Sequence, residues 1–202
     1  DYIVYLKINV NTLAQSYEYT NKIIETEKQK EEKSALTRLS RTDELTGILN
    51  RRGFIERGQT ALDLMQETDM VGVVFFADMD GLKKINDTYG HEVGDLAIKT
   101  QAMALKEVFR STDVVGRLSG DEFGIVAVGM NLIQVDRVRL KLDMMNEKLS
   151  RENNLPFTLS VSLGAVDLQK SSILKKLLSD ADKSLYEEKR KKRHARLSEN
   201  SK

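Results

Sequence analysis

The chain has 202 residues, 40% hydrophobic and 31% charged, with a net charge of +1. That size suits one globular domain with an appendage, and the balanced charge provides no overall field to draw in nucleic acid or an acidic surface. The absence of cysteine excludes disulfides and thiolate metal sites, and two histidines are too few for a histidine-based metal cage.

Residues 1–42 contain neither glycine nor proline. Leu6, Val10, Leu13, Tyr17, Thr20 and Ile24 recur at spacings of four and three, the seam of a coiled coil, and the pattern resumes at Ala35 and Leu39 after a polar stretch. Tyr2, Val4, Leu6, Ile8 and Val10 also alternate as in a strand, which fits the last strand of a missing upstream domain. The chain opens at Asp1 inside this apolar segment, so it is expected to be part of something longer. The expected division is a signalling helix or coiled coil over 1–42 and a second domain over 43–202. No apolar run approaches the ~20 residues that span a bilayer, and no signal-peptide pattern is present. The expected location is therefore cytoplasmic, with any membrane anchor in the missing N-terminal part.

From Asp43 the pattern is α/β. Helices are predicted near 50–67, 93–109, 131–153 and 172–194, and strands near 71–78, 114–118, 122–128 and 158–167. Ser40 and Thr42, just ahead of Asp43 and Glu44, predict a helix end or capping turn. The lone Pro156 falls between a helix and a strand, where a breaker belongs. Helices alternating with strands imply a sheet flanked by helices.

Two acidic clusters stand out. The apolar run 71–77 ends in Asp78-Met79-Asp80-Gly81, and ligand sites commonly lie at the C-terminal ends of sheet strands. Further on, Ser119-Gly120-Asp121-Glu122-Phe123 joins two short apolar runs through a tight turn that carries adjacent carboxylates. Carboxylates brought together from both clusters make an oxygen-rich site for a hard divalent cation, with phosphates and water completing the shell. An EF-hand loop fails here, because its glycine position holds Lys83 and its twelfth position holds Tyr89. The segment after Asp80 adds Lys83, which can neutralise phosphoryl charge, and Asn86 and Asp95, which can read a base. A carboxylate only accepts hydrogen bonds, so it matches the donors on guanine N1 and N2 and opposes the bare N1 of adenine. No Walker pattern is present.

Together these segments resemble the GGDEF family, the diguanylate cyclases. Asp43-Glu-Leu-Thr-Gly-Ile-Leu-Asn-Arg-Arg52 is similar to the family's opening segment, 78–95 to its metal and guanine segment, and 119–123 to its signature hairpin. Ser160-Val-Ser-Leu-Gly164 and Ala181-Asp-Lys-Ser-Leu-Tyr186 resemble two late segments. The resemblance covers about residues 40–194. It implies an α+β sandwich related to nucleotidyl cyclase and polymerase palms, with a central sheet of about five strands behind a long N-terminal helix. It also implies condensation of two GTP molecules into cyclic di-GMP and pyrophosphate across a homodimer joined through that helix, under an upstream sensor and with no nucleic-acid partner.

By position, the resemblance implies that Asp78, the Met79 carbonyl, Asp121 and Glu122 bind two Mg²⁺ ions per site, with Mn²⁺ as a substitute. Asp121 or Glu122 would assist deprotonation of the 3′-hydroxyl, Lys83 would stabilise phosphoryl charge, and Asn86 and Asp95 would read guanine with His91 nearby. Lys189 and Arg193, four apart and so on one helix face, match the family's triphosphate pair. Arg110 and Asp113 match its product-inhibition site, for which Arg137, Arg139 and Lys141 are candidates for a further cation.

Two positions depart from the family. Ser119 stands where the signature usually has Gly. A turn needing positive φ there would be strained, whereas one needing only a small side chain would gain a hydroxyl. Glu188 stands where Ala is usual, adding negative charge beside Lys189. The alternative reading is a catalytically inactive domain that serves as a GTP or cyclic di-GMP receptor.

Overall fold

The computed structural model describes residues 15–30, 41–168 and 173–199, with side chains through Arg190 in the last helix. The seam positions Leu6, Val10, Leu13, Ala35 and Leu39, and the alternating segment 2–10, lie outside the described residues. Two compact units divide at Ser40 and Arg41.

In the first unit, residues 15–30 form helix α1. Tyr17 and Ile24, two turns apart, are 69% and 57% exposed. The hydroxyls of Thr20 and Thr26 donate to the carbonyls of Ser16 and Lys22 four residues back, so neither competes for the chain outside the helix.

The second unit runs α2 (Arg51–Glu67), β1 (Gly72–Met79), α3 (Leu82–Tyr89), α4 (His91–Val108), β2 (Val114–Ser119), β3 (Glu122–Val128), a 3₁₀ turn at Leu132–Gln134, α5 (Val135–Glu152), β4 (Val161–Asp167) and α6 (Leu174–Glu199). The strands form one antiparallel sheet in the order β2-β3-β1-β4. Where about five strands are expected, four occur among the described residues, and a parallel bridge between Leu49 and Gly116 continues the β2 edge.

Period-two alternation sends each strand's side chains into two layers. Val73, Phe75, Ala77 and Met79 of β1, with Phe123, Ile125 and Ala127 of β3, pack under α4 and α5. Val74 and Val126 face the other way, among Phe54, Leu62 and Met65 of α2 and Leu174, Leu177 and Leu178 of α6. Burial of these layers, rather than helix propensity, supplies most of the stability.

The predicted elements leave residues 82–92 without a helix, yet α3 forms there between Gly81 and Gly90, both at positive φ. Eight residues are marginal as an isolated helix. Leu82 packs against the core under α4, so tertiary contact sustains it. The turn expected ahead of Asp43 is built by Asp43 itself, whose carboxylate accepts from the amide and the hydroxyl of Thr46 at 2.9 and 2.6 Å.

Candidate active site

Asp78 is the penultimate residue of β1, and the alternation that buries Ala77 and Met79 under α4 and α5 turns it toward α6. Directly across the ladder from Asp78 stands Glu122, the first residue of β3. The two carboxylates therefore share one sheet face. Asp121 lies in the turn before them, and its carbonyl accepts from the Met79 amide at 3.1 Å, tying the hairpin tip to the end of β1.

From α6, the Lys189 ammonium donates to the Asp78 carboxylate. Burial pushes the Asp78 carboxyl above its ordinary range; Lys189 opposes that shift, and the charges of Asp121 and Asp80 add to it. Asp80 does not join the acidic face as a ligand. Its carboxylate accepts the hydroxyls of Ser160 and Ser162 at 2.6 and 2.8 Å, fastening the exit of β1 to β4. The serines were visible in the sequence as a similar motif, but nothing there assigned them to Asp80.

The hairpin turn consists of Gly120 and Asp121, between the paired residues Ser119 and Glu122. Positive φ falls on Gly120, at 35°, and not on Ser119. A two-residue hairpin turn needs positive φ at its first central position, which glycine provides without steric cost. Ser119 is therefore under no backbone strain of that kind, and its hydroxyl donates to the Glu122 carboxylate.

Arg117 braces the same turn. Its Nε donates to the Gly120 carbonyl at 2.9 Å and its Nη1 to both oxygens of Asp43, at 3.1 and 3.2 Å. Burial acts to raise the Asp43 carboxyl, but the hydrogen bonds from Thr46 and Arg117 together hold it below the usual carboxylate range. The opening motif thus supports the signature hairpin, a link that no local pattern in the sequence reveals.

Asp78, the Met79 carbonyl, Asp121 and Glu122 make an all-oxygen donor set, the kind a hard divalent cation takes. Burial, with a smaller contribution from the charges of Asp121 and Asp80, raises Asp78, and a bound cation would oppose that shift. Among the described residues no three Asp, Glu or His side chains converge as a ready cage.

Lys83 and Asn86 are three apart on α3, and His91 and Asp95 are four apart at the start of α4, so each pair shares a helix face. Lys83, His91 and Asp95 are exposed and Asn86 is half-buried. The Asn86 side chain lies over Gly94: a Cβ at Gly94 would fall 1.8 Å from Asn86 Oδ1. Asn86 is therefore seated beside the residue preceding Asp95. Lys189 lies against Asp78, whereas the Arg193 side chain lies outside those described.

Arg110 and Asp113 are brought together elsewhere. The Asp113 carboxylate accepts the Arg110 amide at 2.8 Å and the Val128 amide at 3.0 Å. Val128 ends β3 and Glu122 begins it, so about 20 Å of strand separates the two places. Arg110 and Asp113 line a cavity of about 690 Å³ with Arg57, Thr60 and Lys106. Arg139 is held away from it, donating to the Leu163 carbonyl and to Glu188 at the β4 edge. Arg137 and Lys141 are exposed on α5.

DgcC of Escherichia coli K12, a probable diguanylate cyclase, is 32% identical over 161 residues, which is 79% of this chain and 43% of DgcC. The chain thus spans less than half of that relative. Among solved structures, the GGDEF domain of TpbB (YfiN) from Pseudomonas aeruginosa matches with a TM-score of 0.66 and 29% identity, over 74% of this chain and 89% of that one. The GGDEF domain of DgcB from Caulobacter crescentus, solved with cyclic di-GMP, matches with a TM-score of 0.65 and 25% identity, over 74% and 88%. The profile described as "Diguanylate cyclase, GGDEF domain" matches residues 40–195, and with the acidic hairpin facing Asp78 across β1 the chain belongs to the GGDEF family of diguanylate cyclases.

Proposed function

We propose that the domain condenses two GTP molecules into cyclic di-GMP with release of pyrophosphate. The observation that carries this is the pairing of Asp78 with Glu122 on one sheet face, with Asp121 in the adjoining turn and the Lys189 ammonium on Asp78. Asp78, the Met79 carbonyl, Asp121 and Glu122 would hold the metal, two Mg²⁺ ions or Mn²⁺ in their place. When bound, the metal lowers the pKa of an attacking hydroxyl and neutralises charge on the leaving pyrophosphate.

The chain's own groups do the rest. Asp121 or Glu122 takes the proton of the 3′-hydroxyl. Lys83, Lys189 and Arg193 answer the triphosphate's charge. Asn86 and Asp95, with His91 beside them, read the guanine edge, Asp95 accepting from donors that adenine lacks.

Each subunit holds one GTP, and setting one nucleotide's hydroxyl against the other's α-phosphate is chiefly a matter of positioning. A homodimer through the N-terminal helix does this, and the spacing of Tyr17 and Ile24, seven residues apart on α1, supports it. An upstream sensor would act through that helix. Cyclic di-GMP binds at Arg110 and Asp113 and inhibits turnover; the cationic lining of the adjoining cavity supports that role.

The test is turnover of GTP with Mg²⁺ over a range of protein concentrations. Product and pyrophosphate should appear, with specific activity rising as the dimer fills. No product at high protein concentration, alongside measurable nucleotide binding, would replace this reading with a non-catalytic receptor.

A further inference from the structure

Glu188 sits one residue before Lys189 on α6, and the two side chains project about 100° apart around the helix axis. Lys189 reaches Asp78 on β1. Glu188 reaches the neighbouring strand, accepting the Leu163 amide at 3.3 Å and the Arg139 guanidinium of α5. Arg139 in turn donates to the Leu163 carbonyl at 2.9 Å.

β4 is an edge strand. An edge leaves backbone amides and carbonyls without a strand partner. At Leu163, Glu188 takes the amide and Arg139 takes the carbonyl, so the ion pair stands where a further strand would. Ser162, the next residue back, pairs with Asp78 across the β1–β4 ladder and holds Asp80 through its hydroxyl. α6 also lies close here: a Cβ on Gly164 would fall 1.9 Å from the Ala181 carbonyl oxygen. The helix carrying Lys189 is thus clamped to the strand that adjoins Asp78.

We propose that Glu188 is a positioning residue for nucleotide binding: with Arg139 it locks α6 to the β4 edge at Leu163 and so sets the reach of Lys189. This rests on the reading of Lys189 as a triphosphate ligand. A Glu at this place adds negative charge near phosphates, but the charge is spent on Arg139 and on a backbone amide rather than directed at the ligand. Losing the clamp leaves Lys189 present but unplaced.

The test is a double-mutant cycle on the full chain, with Glu188→Ala and Lys189→Met alone and together, reading GTP affinity at equilibrium and the split between KM and kcat. Glu188→Ala should weaken GTP binding about fivefold to tenfold and raise KM in step, and should add less than twofold in the Lys189→Met background. Glu188→Gln, which keeps an acceptor for the Leu163 amide, should recover part of the affinity, and it carries the same cycle where Glu188→Ala folds poorly. Full additivity, or parental GTP affinity in the Glu188 variants while Lys189→Met is weakened, overturns the proposal. Parental affinity in Lys189→Met instead removes the phosphate role of Lys189, and the positioning role of Glu188 goes with it.

Discussion

Lys189 donates to the Asp78 carboxylate across 111 residues of sequence, joining the last helix to the end of the first strand. Asp78 is nevertheless a strained place for a charge, since burial and the neighbouring Asp121 and Asp80 raise its carboxyl despite the ammonium. A raised folded-state value contributes stability that is present below the unfolded carboxylate's pKa and is lost as pH climbs through the folded one. At neutral pH the ionised side chain is therefore a cost. Asp78→Asn should melt above the parent at neutral pH, with the gap closing on acidification, and should lose roughly 10²- to 10³-fold in turnover. Melting curves across pH read the first effect and a pyrophosphate assay the second; a variant less stable than the parent at neutral pH would contradict the assignment.

The hairpin tip separates two neighbouring small residues by role. Positive φ belongs to Gly120, while Ser119 contributes a hydroxyl to Glu122. Gly120→Ala should cost roughly 1 kcal/mol or more in urea unfolding, because alanine resists that conformation. Ser119→Gly should stay within a few tenths of that measure of the parent and keep turnover within several-fold, roughly the span of one hydrogen bond. A collapse of turnover in Ser119→Gly would show the hydroxyl to be indispensable.

Arg117 and Asp43, both largely buried, brace the turn from beneath. Arg117→Met leaves the Asp43 carboxylate with only its Thr46 donors and should cost about 1.5–3 kcal/mol at neutral pH. The folded-state pKa of Asp43 is depressed, so its contribution is present above the ordinary carboxylate value and fades as pH falls through the lower one. The difference between parent and variant should accordingly shrink in acid, which denaturant unfolding at two pH values will show.

Arg110 and Asp113 call for different variants. Asp113 satisfies two backbone amides, so Asp113→Ala should destabilise the domain by about 1–3 kcal/mol whatever it binds. The Arg110 side chain has no such duty in the fold, its amide making the contact. Arg110→Ala should fold normally and turn over GTP with inhibition by cyclic di-GMP relieved; an unchanged inhibition curve would remove it from the inhibitory site.

Asn86 depends on the missing side chain of Gly94. Gly94→Ala should displace it and raise the KM for GTP roughly tenfold, about the loss of one good hydrogen bond, while improving helix propensity in α4. Steady-state kinetics beside a melting curve separates the two effects. An unaltered KM would remove Asn86 from guanine recognition.

Much of this protein was legible without coordinates because the relevant signals are local. The apolar runs at 71–78 and 122–128, the turn at Gly120 and the helix predicted near 131–153 depend on neighbours a few residues apart, and the structure keeps their boundaries to within a few residues. Residue type and spacing likewise single out the carboxylates 78, 121 and 122, Lys83 and the Arg110–Asp113 pair as candidates. What the tertiary structure alone decided are pairings across 49 to 111 residues: Arg139 with Glu188, Arg117 with Asp43, Asp80 with Ser160 and Ser162, and Lys189 with Asp78. Helix α3 belongs with them, since so short a segment takes its conformation from packing. Composition and periodicity say which groups a strand or helix presents. Which group meets which depends on strand order and helix docking, and these follow from burying both faces of one sheet at once.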